Sequence, residues 1–201
     1  MKLVLATFNR DKARELLALL DIPGLELRSL AEYPEAVGPE ENGATLLENA
    51  TIKAEAALKL TGLGAIADDT GLEVDALNGA PGVYAARFAG PDATYADNCR
   101  LMLERMNGVP PERRGARFRT VCVAVFPNGE RLIGEGAVLG RITEAPRGDH
   151  GFGYDPVFEV SETGRTFAEM ATDQKNAISH RSRAARALAE QLRRRSAAAD
   201  A

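Results

Sequence analysis

The most constraining feature of the sequence is the segment Phe118–Phe126, which is apolar on both of its faces. Side chains alternate between the two faces of a strand, so its three valines share one face and the residues between them share the other. A strand with two apolar faces is covered on both sides, as in the centre of a sheet flanked by helices. A Pro-Asn-Gly turn at 127–129 follows, and Arg131–Leu139 is predicted to pair with the strand as a hairpin.

The rest of the chain alternates between strand-like runs and helical periodicity. The predicted elements are a strand at Lys2–Thr7, a helix that ends at Pro23, a helix from Thr45 to Thr61 that opens on a capping box, a strand at Ala65–Asp68, a helix at Ala93–Met106, the hairpin and a helix at Ser179–Arg195. Residues 30–43 are predicted to form a loop, and residues 70–82 are rich in Gly, Pro and Asn. This alternation predicts an α/β fold with a mixed sheet.

Composition excludes several classes of protein. A chain of 201 residues that is 45% hydrophobic suits a single domain over 1–201 or two tightly joined lobes. Its net charge of -4 disfavours non-specific binding to nucleic acid. No apolar run is long enough to span a membrane, and the N-terminus does not resemble a signal peptide. With only Cys99 and Cys122, which lack a metal-like spacing, the expected location is cytoplasmic.

Residues 7–12, Thr-Phe-Asn-Arg-Asp-Lys, lie where the first strand meets the first helix. Backbone N–H groups at a helix start, with a hydroxyl, an amide and a lysine nearby, are suited to binding phosphate. The segment lacks the glycines of a Walker loop. The alternative is that Asn9 or Thr7 caps the helix while Lys12 faces water, and the local residues alone favour that alternative.

Acidic residues occur at two places that favour a metal site. Asp68 and Asp69 follow a predicted buried strand, where open α/β sheets place their ligands. Neighbouring side chains of an extended chain point to opposite faces, so only one of the two need face a site. Glu40 and Glu41 lie in the loop, and Mg²⁺ usually takes one or two carboxylates together with substrate phosphates. The alternatives are an Asx turn before Gly71 and a solvated acidic loop.

Three polar residues of the second helix, Thr45, Asn49 and Lys53, recur at intervals of four and form one stripe. The stripe either lines a pocket or faces water. Near the C-terminus, His180 and Arg181 are predicted in the first turn of the last helix. Cations are unfavourable there, which points to an anion or a carbonyl oxygen to be bound.

The segment 151–156, Gly-Phe-Gly-Tyr-Asp-Pro, combines two aromatic side chains with glycines that permit close backbone approach. Aromatic rings stack on nucleotide bases, so the segment is a candidate base site. The alternative is an ordinary turn that contributes two core aromatics.

Taken in order, these motifs resemble one family. The chain resembles the inosine/xanthosine triphosphate pyrophosphatases, also called the Ham1 or RdgB family, which act on non-standard purine nucleotides. The segment from Ala67 to Tyr84 is the most specific match. The other matching segments are Leu5–Lys12, Glu41–Gly43, Asn49-Ala50, Gly151–Pro156 and Ser179–Arg181.

The resemblance implies an α/β fold in which a mixed central sheet carries helices on both faces and two lobes surround an active-site cleft. It also implies a homodimer. The implied reaction is magnesium-dependent hydrolysis of dITP, ITP, XTP and dXTP to the monophosphate and pyrophosphate, which would keep these nucleotides out of DNA and RNA.

The resemblance also implies residue roles. Asp69 would be the catalytic acid–base residue and, with Glu40, a ligand of Mg²⁺. Thr70, where many members have serine, would contact substrate, and Phe8 stands where some have glycine. The implied substrate-binding residues are Thr7, Phe8, Asn9, Arg10, Asp11, Lys12, Thr70, Phe152, Gly153, Tyr154, Asp155, Lys175, His180 and Arg181.

Selectivity is expected at the purine 6-position, where hypoxanthine and xanthine present a carbonyl and adenine an amino group. Arg181 would donate to that oxygen, and adenine would leave the donor unpaired. Two other functions remain open. One is a Maf-like pyrophosphatase for modified pyrimidine nucleotides. The His180-Arg181 pair and the 151–156 segment argue against it. The other is a non-catalytic nucleotide-binding module. The presence of an acidic site beside a cationic one argues against it.

Overall fold

The computed structural model describes residues 1–199. Over this range the chain forms eight strands and five α-helices, joined by loops and short 3-10 turns. They are β1 (Lys2–Leu5), α1 (Arg10–Leu19), β2 (Glu26–Ser29), α2 (Leu46–Thr61), β3 (Gly64–Val74), β4 (Pro81–Gly82), α3 (Tyr95–Arg105), β5 (Gly115–Val125), β6 (Arg131–Ile142), β7 (Phe158–Val160), β8 (Arg165–Thr166), α4 (Thr172–Ile178) and α5 (His180–Ala199).

The strands form one mixed sheet in the order β2-β1-β3-β5-β6-β7-β8, with β4 paired to β3. β1 runs parallel to both β2 and β3, whereas β6, β7 and β8 pair antiparallel. The mixed α/β sheet predicted from the sequence is therefore confirmed, and β5 has a strand on each side.

The chain divides into two compact units. The first contains Met1–Asp69, Thr120–Gly136 and the last helix, and the second contains Thr70–Arg119 and Ala137–Ser179. Three strands, β3, β5 and β6, contribute residues to both units.

In the first unit, helices α1 and α5 cover one face of the strands. Leu16 of α1 and Leu188 of α5 are fully buried against side chains of β1, β3 and β5 such as Leu5 and Ile66. The strand residues between these, such as Val4 and Ala65, are equally buried and point to the opposite face. Helix α2, whose alanines are buried, contacts β1. In this unit the sheet carries helices on both faces.

The second unit has an aromatic core. The ring centroids of Phe118 and Phe158 are 4.6 Å apart, and those of Phe158 and Phe167 are 5.6 Å apart. The buried guanidinium of Arg114 donates to the carbonyl oxygens of Met106, Val109, Ile142 and Thr143, which ties the end of α3 to the end of β6. Such contacts satisfy backbone acceptors that would otherwise be buried without a donor.

The structure confirms the hairpin of β5 and β6 and the capping box that begins α2 at Thr45. It differs from the sequence prediction at β3, which continues through Gly71 to Val74 because β4 pairs with it at Leu72 and Glu73. The short elements β2, β4, β7, β8 and α4 were not predicted. Among the described residues, no helix combines the length and the apolar character needed to cross a membrane.

Candidate active site

The predicted acidic pair lies within β3, just beyond the point where that strand stops pairing with β1. The parallel register ends with Leu5 opposite Ile66, and the N–H of Ala6 donates to the carbonyl of Ile66 at 2.7 Å. Asp68 and Asp69 follow, so the chain presents two carboxylates at the carboxyl end of the parallel pair. Both residues belong to the first unit and are buried, with exposed fractions of 2% and 6%.

Asp68 is the centre of a buried ionic cluster. Its Oδ2 lies 3.3 Å from the ammonium of Lys12 and accepts a hydrogen bond of 3.2 Å from Nε of Arg181. The same guanidinium donates through Nη1 to Glu15 of α1. Burial alone would raise the pKa of Asp68, but the charges of Lys12 and Arg181 outweigh it and hold that pKa well below its usual range.

Lys12 and Arg181 respond to the same cluster in opposite ways. Burial lowers the pKa of Lys12 despite the attraction of Asp68. For Arg181 burial acts to lower the pKa as well, but Asp68 and Glu15 outweigh it and raise the value. Asp68 and Glu15 therefore place two anions beside the first turn of α5, and substrate binding by Arg181 stays a prediction.

Asp69 has a different set of partners on the opposite side of β3. Its Oδ1 accepts a hydrogen bond of 2.9 Å from the ammonium of Lys53, and its Oδ2 lies 3.4 Å from Nδ2 of Asn49. Lys53 also donates to Oε2 of Glu41 at 2.8 Å, and the N–H of Gly43 donates to Oδ1 of Asn49 at 2.8 Å. The polar stripe of α2 thus joins the acidic loop to Asp69, and it does not simply face water.

The carboxyl of Asp69 and the ammonium of Lys53 both have perturbed pKa values. Burial raises the pKa of Asp69 even though the charge of Lys53 opposes that rise. Burial acts to lower the pKa of Lys53, but Asp69, Asp68 and Glu41 outweigh it and raise the value. A buried carboxyl with a raised pKa beside cationic groups is typical of functional sites.

The structure distinguishes the two glutamates that the sequence could not separate. Glu41 is half-buried and reaches Asp69 through Lys53, whereas Glu40 is exposed. Glu40 as the second metal ligand stays a prediction, and the contacts of the described residues favour Glu41. No group of three or more His, Cys, Asp or Glu side chains within residues 1–199 is arranged to hold a metal ion by itself.

The strand-to-helix segment that was predicted to bind phosphate caps α1. Oδ1 of Asn9 accepts from the N–H groups of Asp11 and Lys12 at 3.0 and 3.1 Å, and the hydroxyl of Thr7 accepts from the N–H of Asn9 at 3.2 Å. Capping is therefore confirmed, but the water-facing alternative for Lys12 is wrong, since its ammonium lies on Asp68. Phe8 is 52% exposed. Phosphate binding by residues 7–12, Arg10 included, stays a prediction.

His180 is also buried within the first unit. Its Nδ1 lies 2.7 Å from the hydroxyl of Thr120, and the residue is 3% exposed. Thr120 thus positions His180, and Asp68 and Glu15 position Arg181. Among these three partners, the sequence identified only Asp68 as a candidate site residue.

The candidate base site at 151–156 and Lys175 belong to the second unit. Oδ2 of Asp155 accepts from the N–H of Phe152 at 2.8 Å and from the ammonium of Lys175 at 2.6 Å. That ammonium lies 4.6 Å from the centre of the half-buried Phe152 ring. Tyr154 is different, because its ring is buried and its hydroxyl donates to the carbonyl of Ala85 at 2.8 Å. Thr70, also in this unit, is half-buried.

One residue of the second unit was not predicted from the sequence to lie beside the candidate base site. Cys99 was noted only for its lack of a metal-like partner, yet its Sγ lies 3.2 Å from the carbonyl of Gly153, so α3 contacts the segment that carries Phe152. Burial raises the pKa of Cys99 to about 11, which makes it an inert thiol at neutral pH. Nothing in the local sequence around Cys99 signals this contact.

Known proteins are similar to this chain over almost its whole length. The model of the Ham1 family matches residues 3–191. A dITP/XTP pyrophosphatase of Thermus thermophilus is 52% identical over 190 residues, which are 94% of this chain and 91% of that protein. The solved structure of a HAM1 protein from Coxiella burnetii is 41% identical with a TM-score of 0.88 and covers 96% of this chain and 99% of its own. The Ham1 protein of Staphylococcus aureus is 36% identical with a TM-score of 0.86, covering 96% and 98%.

Proposed function

The chain belongs to the Ham1 family, and on that premise we propose that it hydrolyses non-standard purine nucleoside triphosphates, among them dITP, ITP and XTP, to the monophosphate and pyrophosphate. The observation that carries the proposal is the contact of Asp69 with Lys53, which binds Glu41 at the same time. It places a buried acid and a second carboxylate each within hydrogen-bonding distance of the same ammonium. Hydrolysis of a phosphoric anhydride needs an acceptor for a proton and cations for the phosphates.

Magnesium fits the residues at this place. The ammonium of Lys53 shows that the oxygens of Glu41 and Asp69 converge on a cation, and carboxylate oxygens are the ligands Mg²⁺ prefers. Residues 1–199 contain no larger group of acids arranged around a metal, and two carboxylates suit an ion whose remaining ligands are water and phosphate. When bound, magnesium would offset charge on the phosphates and on the leaving pyrophosphate.

Asp69 is proposed to accept a proton from the attacking water or to orient that water. Its raised pKa makes it a stronger base than an exposed aspartate. Lys12 and Lys53 are proposed to contact the phosphates, where each positive charge stabilises the charge that develops in the transition state. Residues 7–12 would add backbone donors from the start of α1.

We propose that Asp69→Asn lowers turnover by orders of magnitude while the variant remains folded. The amide keeps the shape of the side chain but neither accepts the proton nor neutralises a cation. Turnover measured as pyrophosphate release, with circular dichroism as the check of folding, tests this role. Near-normal turnover in the folded variant removes Asp69 from the chemistry.

We propose that Arg181 contributes to the choice of base by donating to the purine 6-oxygen. Substrate binding by His180, by Phe152 and by the Asp155–Lys175 pair stays a prediction. Replacement of the buried Arg181 also disturbs Asp68 and Glu15, so the informative quantity is the ratio of ITP to ATP turnover, which does not depend on the amount of folded enzyme. Arg181→Lys keeps a positive charge and removes the planar fork. Both Arg181→Ala and Arg181→Lys should lower that ratio, and an unchanged ratio in either contradicts this assignment.

A pyrophosphate-release assay with ITP, dITP, XTP, GTP, ATP and dUTP, each with and without magnesium, tests the function as a whole. We expect magnesium-dependent release from the first three only. Preference for dUTP would favour a pyrimidine-directed enzyme, and no release from any substrate would favour a binding protein. We further propose that the enzyme is a cytoplasmic homodimer that keeps these nucleotides out of DNA and RNA.

A further inference from the structure

Lys53 occupies the position between the two carboxylates proposed as metal ligands. Its ammonium donates to Oε2 of Glu41 at 2.8 Å and to Oδ1 of Asp69 at 2.9 Å, and its side chain is 13% exposed. These are two separate charged contacts from one ammonium group. No other lysine of α2 is in this position, since Lys59 is exposed.

We propose that Lys53 is a resident cation that a divalent metal must displace from Glu41 and Asp69, a proposal that rests on the proposed metal site. The ammonium and the metal use the same carboxylate oxygens, and two cations held at one pair of oxygens repel each other. Binding of the metal to the free protein therefore includes the loss of both Lys53 contacts. The lysine lowers the affinity for the metal while it keeps the two acids together without one.

The surroundings make this competition strong. Asp69 is 6% exposed, so its charge interacts with Lys53 in an environment that water screens poorly. Nδ2 of Asn49 contacts the other carboxylate oxygen of Asp69, and Oδ1 of Asn49 accepts from the N–H of Gly43. Asn49 therefore holds both the carboxylate of Asp69 and the loop that follows Glu41. Because Asn49 holds Asp69 and the loop backbone at Gly43, removal of the ammonium leaves two carboxylates available to a divalent ion.

The test is the affinity for manganese(II), which is visible by electron paramagnetic resonance and takes the ligands that magnesium takes. Titrations compare the wild-type protein with Lys53→Met, Lys53→Gln and Lys59→Met, without nucleotide. Lys53→Gln retains a polar side chain of similar length and serves if Lys53→Met folds poorly. Lys59→Met removes the same charge from an exposed position of the same helix. Asp69→Asn identifies the site that is occupied.

We expect both Lys53 variants to bind manganese at least tenfold more tightly than the wild type, and Lys59→Met to stay within twofold of it. In the presence of a chelator, Lys53→Met should melt at a lower temperature than Lys59→Met, and manganese should reverse the difference. Equal or weaker binding by both Lys53 variants overturns the inference while leaving the metal site in place. Undiminished binding by Asp69→Asn, or no binding by any of the proteins, overturns the proposed metal site and the inference with it.

Discussion

Asp68 and Asp69 are adjacent, yet their carboxylates make their close contacts with different side chains. Asp68 faces Lys12 and Arg181 and is enclosed by them, whereas Asp69 faces Lys53 and Asn49. The alternation of side chains along β3 accounts for the division, because each carboxylate is directed to a different face of the strand. One acid therefore holds a buried ionic cluster together, and the other is available for the proposed chemistry.

Asp68→Asn should destabilise the protein by about 3 kcal/mol, because it leaves two buried cations without their shared counter-charge. Asp69→Asn should cost less, since Lys53 keeps its contact with Glu41. Urea denaturation followed by circular dichroism measures both changes, and the chain's lack of tryptophan makes this the appropriate probe. Equal losses of stability in the two variants would show that Asp68 has no special part in the cluster.

The sequence predicts the acids at this site but not the residues that hold them. Asp69 belongs to a long and specific motif, so its position could be recognised directly. Glu15 binds Arg181 across 166 positions of sequence, and no local pattern marks it as the partner. The sequence restricted Asn49 and Lys53 to one stripe of α2, but only the fold shows that this stripe meets Asp69.

At the scale of secondary structure, β6 and α5 are in close backbone contact. A Cβ atom at Gly136 would lie 2.2 Å from the carbonyl oxygen of His180 and 2.5 Å from the nitrogen of Ala184. Gly134 is similarly close to Ala184 and Leu188. These glycines permit the first turns of α5, which carry His180 and Arg181, to approach the strand directly.

Gly136→Ala should destabilise the fold by about 2 kcal/mol or more, because backbone atoms cannot yield as a flexible side chain does. Gly38→Ala is the matched control, since the nearest atom to its added methyl group is in the Phe8 ring at 3.5 Å, an ordinary contact. Its stability should stay within about 1 kcal/mol of the wild type. Urea midpoints for the two variants provide the comparison, and a Gly136→Ala midpoint equal to that of Gly38→Ala would contradict the close packing.

Elements with local signals were predictable, and those defined by distant pairing were not. The capping box of Thr45 and Glu48 specifies the start of α2 within four residues. The second half of β3 contains Gly71 and was grouped with a turn-rich stretch, because only its pairing with β4 and the burial of Leu72 and Val74 keep it extended. α4 has seven residues and no side-chain cap, so its sequence offers little periodicity to recognise.

At the scale of the whole molecule, the path of the chain links the two compact units repeatedly. It passes from one unit to the other after Asp69, after Arg119, after Gly136 and after Ser179. The first three of these points lie inside β3, β5 and β6. Unfolding either unit removes hydrogen-bonded strand residues at these three points, so neither unit can unfold without breaking strands that it shares with the other.

The two units should therefore unfold in a single transition, and the two cysteines report on it separately. Cys122 is buried in the first unit and Cys99 in the second, and both are free. Pulsed labelling with a thiol reagent across a urea series should give one midpoint for both residues, equal to the midpoint from circular dichroism. Cys99→Ala and Cys122→Ala assign each signal to its residue. Labelling of one cysteine at a distinctly lower urea concentration would show that the units unfold independently in spite of the three strands they share.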